Sequence, residues 1–563
     1  MLNMKKISLT PEKIVIVILA GLTLALVVSI VFLAWVPPVS RDALTHHLAV
    51  LKIYLQQGRI TELPDIPFSY YPMNLDLLYM IPLYFGNDIL PKYIHFLFAL
   101  FTASLLFWFL KRRLSAPYAL FGALFFLSMP IIVKLSITVY VDLGLIFFSA
   151  TALILLMNWT ESIYKSKYLV LSAIFCGLAL GTKYNGLIVL FLLTLFIPFL
   201  YLKTERGKLY VQSKAFGFAG LYVLVALIVF SPWMIRNTIW TGNPIYPLYN
   251  RHFQNASADG AEELSIDFRK KIDYQVGHWN HFAIRRMMFK ESWGDIALIP
   301  IRIFFQGRDD KPQYFDGKLN PFLFILPFMA FVSVRRLSLN DTHGLKMLVA
   351  FVGLFMLIAF LRTSIRIRYI APVIPPLVIL SVFGLHNLAD FLKVRGWFLL
   401  GRVLLPVVFL AAIGMNAHYV FNQFRSVDPF SYISGRVGRD AYITYRRPEF
   451  SVLKYANQYL SNNHVILGLF LGNRSYYSDR KLVFGEKWFT QSIVLSASDK
   501  DIQKDLIRSG YTHLLVNLDL VKQWSKTFER PDQKKIAALF NHRLKLLKQN
   551  LSYALFEVIP ISR

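Results

Sequence analysis

The chain has 563 residues, 55% of them hydrophobic, with 48 Phe, 29 Tyr and a formal net charge of +28. A soluble protein of this size needs far more polar surface, so a water-soluble globular fold is excluded. The positive balance is what basic membrane-flanking loops produce, and no basic, aromatic-interleaved recognition module stands outside the apolar runs, so no nucleic-acid partner is expected.

Taken in order, the N-terminal "MLNMKKISLTPEK" could pass for the start of a signal peptide. The apolar run Ile14–Trp35 is too long for a typical signal core and ends in "VPPVS" without a small-x-small cleavage site, so it reads as an uncleaved anchor. Apolar runs near the ~20-residue spanning length mark about eleven candidate spans. They centre near Val27, Phe101, Phe125, Phe147, Phe175, Leu192, Val225, Phe328, Phe355, Leu377 and Val408. The fifth and sixth are separated only by "GTKYNG" and form a tight membrane hairpin. Cys176, the single cysteine, lies in the fifth run and excludes an internal disulfide.

Basic clusters fall on alternate ends of these spans: "MKK", Lys111–Arg113, "YKSK" near Lys165, "KTERGK" near Arg206, Arg335–Arg336 and "KVR" near Arg395. The positive-inside rule places them, and the N-terminus, in the cytoplasm of a plasma or inner membrane. Val36–Lys92, Thr241–Lys318 and Asn422–Arg563 then share the opposite face. The expected organisation is a polytopic α-helical membrane domain over 1–421, with outer loops 36–92 and 241–318, followed by an extracytoplasmic α/β domain over 422–563. In that domain "VILGLF", "THLLVN" and "YALFEVI" read as strands, and "DKDIQKDLIRSG" as a helix with an acidic start and a glycine stop. No internal repeat and no low-complexity stretch is found.

The chemistry lies on the outer face. After the first span, "VPPVSRDALTHHLAVLKIYLQQGRI" places Leu44, Leu48, Leu51 and Leu55 at helical spacing behind Asp42, which describes an interfacial helix. Asp42 is either the cap of that helix or a base. Asp142, in "SITVYVDLGLIFF", opens the fourth span on the same face, where an ionisable group is costly unless solvated or used. Lys183, at the outer turn of the hairpin, reads as a snorkelling lysine or a site cation. Arg362, Arg366 and Arg368, in "RTSIRIRYIAPVIPP", put three arginines in an outer loop, against the orientation bias. Their forked guanidinium groups suit phosphate oxygens, and anionic lipid headgroups are the alternative ligand. "SPWMIRNTIWTGNPIYPLYN" carries Arg236, Asn237 and Asn243 out of the seventh span.

These stretches, in this order, resemble the GT-C superfamily of polyprenyl-phosphate-sugar-dependent glycosyltransferases, close in character to bacterial relatives of protein O-mannosyltransferases and aminoarabinose transferases. The resemblance rests on "SRDALTHHLA", "YVD", "GLALGTKYNGL", "PWMIRNTIWTGNPIYP" and "RIRYIAPVIPP", and the tail with "GNRSYYSDR" and "GYTHLLVN" is similar to that of bacterial members. It departs from the protein mannosyltransferases in lacking a paired Asp-Glu in the first loop, since Ala43 follows Asp42. The resemblance implies a GT-C fold and inverting transfer of one sugar from a lipid-phosphate donor to a glycan, lipid or protein hydroxyl. Asp42 and Asp142 would be catalytic, and Lys183, Arg366, Arg368 and Arg236 would bind the donor phosphate. His46, Tyr71, Asn237 and Asn243 would contact substrate. A divalent metal is left open, because some GT-C enzymes use one, but no ligand spacing indicates it. The alternatives are a flippase or transporter of lipid-linked sugars, whose span centres should be more polar than these, and a ligase that transfers whole oligosaccharides.

Overall fold

The computed structural model describes residues 10–204, 210–253, 281–332 and 338–561. The expected basic clusters at "MKK", around Arg206 and at Arg335–Arg336, and the middle of the 241–318 loop, lie outside the described residues.

The membrane part is a helical body built from α1 (Pro11–Ala34), α2 (Ala49–Gln57), α3 (Asn74–Tyr84), α4 (Leu90–Lys111), α5 (Ala116–Ser128), α6 (Pro130–Ser136), α7 (Asp142–Glu161), α8 (Ser166–Leu180), α9 (Gly186–Thr204), α10 (Val211–Thr241), α11 (Phe322–Met329), α12 (Leu339–Arg362), α13 (Ile374–Val394) and α14 (Phe398–Val427). All eleven expected span centres fall in these helices. Length and apolarity alone do not reproduce the count of eleven. Among the described residues eight helices are long and apolar enough to cross a membrane, or nine if the bent pair α5–α6 is one span. The α5–α6 break has a local cause. Pro130 has no N–H and forces Met129 out of the helical region, to ψ 128°, so the pair bends by 63°. The other two shortfalls are α8, with 15 residues, and α11, with eight. α8 packs against α7 and α10, and Gly177 lets it approach α10 closely: a Cβ there would stand 2.6 Å from the Ala226 carbonyl oxygen.

The two ends of this body differ. At one, Arg113 closing α4 pairs with Glu161 closing α7, and its Nε lies 3.2 Å from Asp341 at the start of α12. At the other, the segments expected to share a face do meet: the Asp42 loop, the Tyr140–Asp142 turn, the Lys183 turn, Arg366–Tyr369 and the C-terminal domain.

The C-terminal domain folds around one sheet of β1 (Val465–Leu469), β2 (Lys481–Phe484), β3 (His513–Asn517), β4 (Leu544–Asn550) and β5 (Tyr553–Val558), in the order β2-β1-β3-β5-β4. β1 pairs in parallel with β2 and β3, while β5 runs antiparallel to β3 and β4. Alternate residues of the central strands enter two cores: Ile466, Leu515 and Leu555 on one face, Leu467, Leu514 and Phe556 on the other. Burial on both faces makes "VILGL" and "HLLVN" continuous apolar runs, which is why these strands are legible. The expected helix spans Asp499–Arg508, with Ser498 capping Asp501 N–H and Gly510 leaving it at φ 79°.

Candidate active site

Around Asp42 the expected continuous helix is interrupted. Ala43–His47 form a π-helical turn before α2 resumes at Ala49, and α2 ends at Gly58 with φ 66°. Such a turn inserts one residue into the helical register and re-aims the side chains before it. Asp42 makes no cap hydrogen bond. Its carboxylate instead receives Arg368 Nη1 at 2.5 Å, across 326 residues of sequence. The capping alternative is therefore set aside. Burial pushes the Asp42 carboxyl up, but the charge and hydrogen bond of Arg368 outweigh it and hold the group well below the usual carboxylate range. Asp42 is thus ionised at any physiological pH, able to take a proton and unable to give one.

Asp142, 1% exposed, stands at the first turn of α7, and Lys183 Nζ donates to it at 2.6 Å. The Lys183 turn is held against α3: Asn74 N–H donates to the Gly181 carbonyl, and Gly181 is needed because a Cβ would collide with the Asn74 side chain. Two further residues anchor the start of α7. His95 Nε2 accepts from Leu143 N–H at 2.9 Å, while its Nδ1 faces the carbonyls of Leu135 and Thr138 at 3.0 and 3.1 Å. That requires the neutral tautomer with the proton on Nδ1. Tyr79 donates to the Tyr140 carbonyl at 2.5 Å.

The Arg368 guanidinium lies 5.3 Å from the Tyr140 ring centroid and 5.2 Å from that of Tyr369, and Lys183 Nζ lies 5.1 Å from Tyr369. Asp42, Asp142, Lys183 and Arg368 therefore form one cluster of two alternating ion pairs over aromatic faces. Two cavities adjoin it. A larger one of about 460 Å³ is lined by Asp42, Arg366, Arg368 and Tyr140, and a smaller one of about 80 Å³ by Asp42, Arg368, Lys183, His46, Tyr71 and Tyr369. Asp42 and Arg368 form the wall common to both. Arg366 lines only the larger cavity, 3.4 Å from Asp316.

In the smaller cavity the His46 ring stacks on Phe68 at 4.5 Å with its Nδ1 buried and unpartnered. Burial and the neighbouring His47 push the His46 pKa well below its ordinary value, so the ring is neutral. His47 Nδ1 donates to the buried Asp76 at 2.7 Å. Burial raises the Tyr71 phenol, which remains a donor.

Three expected ligands sit elsewhere. Arg236 donates to the carbonyls of Tyr70 (2.6 Å) and Tyr71 (3.1 Å) and packs against Trp233 and Trp240. Asn237 donates to the Tyr70 carbonyl at 2.9 Å, and Asn243 turns the chain by accepting from Ile245 N–H at 3.0 Å. Both asparagines are fully buried. These three line neither cavity: Arg236 and Asn237 clamp the first loop to the end of α10, and Asn243 orders the turn that follows it. Nothing in the sequence distinguishes a backbone-clamping Arg from a phosphate-binding one. His95 and Asp76 lie beyond the residues expected at the site, although a histidine inside "YIHFLF" and an acid inside "NLDLLY" are polar groups in apolar helices. Among the described residues no three His, Cys, Asp or Glu side chains gather as a metal-binding group.

The C-terminal domain closes over the same loop. N–H groups of Ser475 and Tyr476 both donate to the Leu44 carbonyl at 3.1 Å. Lys52 Nζ spends its three protons on Tyr476 O (3.0 Å), Ser478 O (2.9 Å) and Asp479 Oδ1 (2.6 Å). Tyr477 and Arg447 hold the carbonyls of Pro38 and Val39.

Residues 77–235, which include α7, the Lys183 turn and most of α10, match the family model described as dolichyl-phosphate-mannose-protein mannosyltransferase. The structure superposes on ArnT from Cupriavidus metallidurans bound to undecaprenyl phosphate with a TM-score of 0.54, at 14% identity, over 96% of this chain and 97% of that one. It also superposes on the oligosaccharyltransferase of Archaeoglobus fulgidus, in a complex with Zn and sulfate, with a TM-score of 0.53 at 11% identity, over 97% of this chain and 73% of that one. No curated protein matches by sequence. Both structural relatives are GT-C glycosyltransferases. The chain has the GT-C fold. Within that fold, the two ion pairs lie at the end of the membrane body where the first loop and the C-terminal domain converge.

Proposed function

We propose that this GT-C chain is an inverting glycosyltransferase that moves one sugar from a polyprenyl-phosphate donor to an acceptor hydroxyl at the outer membrane face. The observation that carries the reading is Asp42, an ionised carboxylate in the wall between two cavities, set beside two cations. An inverting displacement needs the acceptor and the leaving phosphate on opposite sides of the sugar, and cavities on either side of Asp42–Arg368 suit that requirement. The acceptor hydroxyl attacks the anomeric carbon from the larger cavity, and its proton passes to Asp42 as the new glycosidic bond forms. The bond from the anomeric carbon to the phosphate oxygen breaks, and the leaving lipid phosphate gains a second negative charge. Lys183 and Arg368 meet that charge, which grows only toward the transition state. Asp142 holds Lys183 in place and does not itself touch the reacting atoms. Arg366 serves the larger cavity.

The test is turnover of a polyprenyl-phosphate monosaccharide, found by a donor screen, measured as released lipid phosphate. Asp42→Asn preserves size and is expected to lower turnover at least about a hundredfold, the scale of a lost positioned base. Near-normal turnover in a folded Asp42→Asn variant would overturn the role. Release of lipid pyrophosphate with transfer of a whole oligosaccharide would replace the reading with the ligase alternative. Vectorial movement of intact lipid-linked sugar without its cleavage would replace it with the flippase.

A further inference from the structure

The larger cavity is far more cationic than a neutral sugar hydroxyl requires. Its carboxylates are Asp42, Asp310 and Asp316, and each is already engaged: Asp42 with Arg368, Asp310 with Lys134, and Asp316 with Arg366 and Lys134. Three arginines, Arg41, Arg446 and Arg447, and a buried lysine, Lys92, line it as well. Among the described residues none of the four has a carboxylate within ion-pair distance. Lys92, 3% exposed, donates to the Val36 carbonyl at 2.7 Å, Arg447 to the Val39 carbonyl at 2.6 Å, and Arg446 to the Ser426 carbonyl. These neutral partners orient the groups without neutralising them. Nε of Arg446 and Nε of Arg368 are buried with no hydrogen-bond partner. Unneutralised cations around a half-enclosed space are costly unless an anion joins them.

The four come from both parts of the molecule: Arg41 and Lys92 from the membrane body, Arg446 and Arg447 from the segment entering the C-terminal domain. We infer that the acceptor is anionic, carrying a phosphate or carboxylate that Arg41, Arg446 and Arg447 bind while its hydroxyl faces Asp42. The inference rests on the glycosyl-transfer reading of the site and adds the acceptor's class to it. Forked guanidinium groups suit the oxygens of a phosphate or carboxylate. The donor phosphate, by contrast, is assigned to Lys183 and Arg368 at the smaller cavity.

The test is direct binding of inorganic phosphate to the full-length protein in neutral detergent, read by calorimetry against chloride at equal ionic strength. Arg41→Gln and Arg446→Gln are each expected to weaken one phosphate site about tenfold, the scale of one lost charge-assisted hydrogen bond, and Arg446→Lys to restore part of it. Lys183→Gln is expected to leave that site unchanged. Unchanged melting temperatures serve as the folding control, and Arg41 is the exposed position least able to disturb the fold. Absence of a saturable phosphate site, or a site lost with Lys183→Gln and kept with Arg41→Gln and Arg446→Gln, overturns the inference. Repeating the titration in nanodiscs of phosphatidylcholine with and without phosphatidylglycerol distinguishes the sources. Competition by the anionic lipid assigns a lipid-borne acceptor, and its absence a water-soluble one. Failure of phosphate binding while donor cleavage still depends on Asp42 removes the anionic acceptor alone. Loss of Asp42 dependence removes the transfer reading itself.

Discussion

Removing the positive charge of Arg368 should re-tune Asp42, and the size of the effect follows from the geometry. Nη1 of Arg368 lies 2.5 Å from the carboxylate, which puts the charge centres about 4 Å apart. With an effective dielectric constant of about 20, that pair is worth roughly 4 kcal/mol, or about three pH units of Asp42 ionisation. The burial that opposes ionisation stays when the arginine goes. In Arg368→Gln the carboxyl should therefore rise from well below its ordinary range back into it. The assay is release of lipid phosphate across pH 4–9. The parent enzyme should show no acid limb above about pH 4, whereas in Arg368→Gln the acid limb should move up by about three pH units, into the acid end of the assayed range. Turnover at the plateau should also drop by roughly ten- to a thousandfold, because one stabilising charge on the leaving phosphate is gone. An Arg368→Gln profile with lowered turnover and an unmoved acid limb would refute the view that this arginine sets the ionisation of the base.

Lys52→Met should lower turnover by about tenfold with the donor KM little changed and with partial rescue by Lys52→Arg, because Lys52 of α2 ties the helix after the Asp42 turn to the C-terminal domain and touches no substrate; a change confined to KM would refute this. Asp142→Asn should cost activity through Lys183, with a raised KM for the lipid donor, and a donor KM equal to the parent's would separate the two residues. For topology, a cysteine at the exposed Lys526, in a chain with Cys176 replaced, should react with an impermeant thiol reagent in intact cells; Ser475 is partly covered by the first loop, and protection of Lys526→Cys would reverse the orientation. His513, buried beside His464, has its pKa pushed down to about 4 by burial. Between its ordinary value near 6.5 and that value, only the unfolded chain takes up the proton. The melting temperature should therefore fall as pH drops from about 6.5 toward 4, and His513→Gln should flatten the decline.

Much of this architecture is carried by local pattern. Span-length apolar runs specify the membrane helices, and the buried strands "VILGL" and "HLLVN" announce themselves by unbroken apolarity. The clustering of Asp42, Asp142, Lys183, Arg366 and Arg368 at one end also follows from alternation along the chain, since each lies in a loop or turn of the same parity. What alternation cannot supply is partnership. Asp42 meets Arg368 across 326 residues and Asp142 meets Lys183 across 41, and nothing local favours those pairings over their exchange. The π turn at Ala43–His47 is likewise invisible, because a one-residue register shift leaves the apolar spacing almost intact. The edge strands Lys481–Phe484 and Leu544–Asn550 lack a readable pattern because solvent covers much of them and lysines occupy them. Arg236 shows the limit from the other side: an arginine near a span end satisfied by two backbone carbonyls looks, in sequence, the same as one awaiting a phosphate. Helix and strand are decided by periodicity over neighbouring residues, which the chain carries with it. The charge of the larger cavity and the grip of the C-terminal domain on the Asp42 loop exist only once distant segments are packed together.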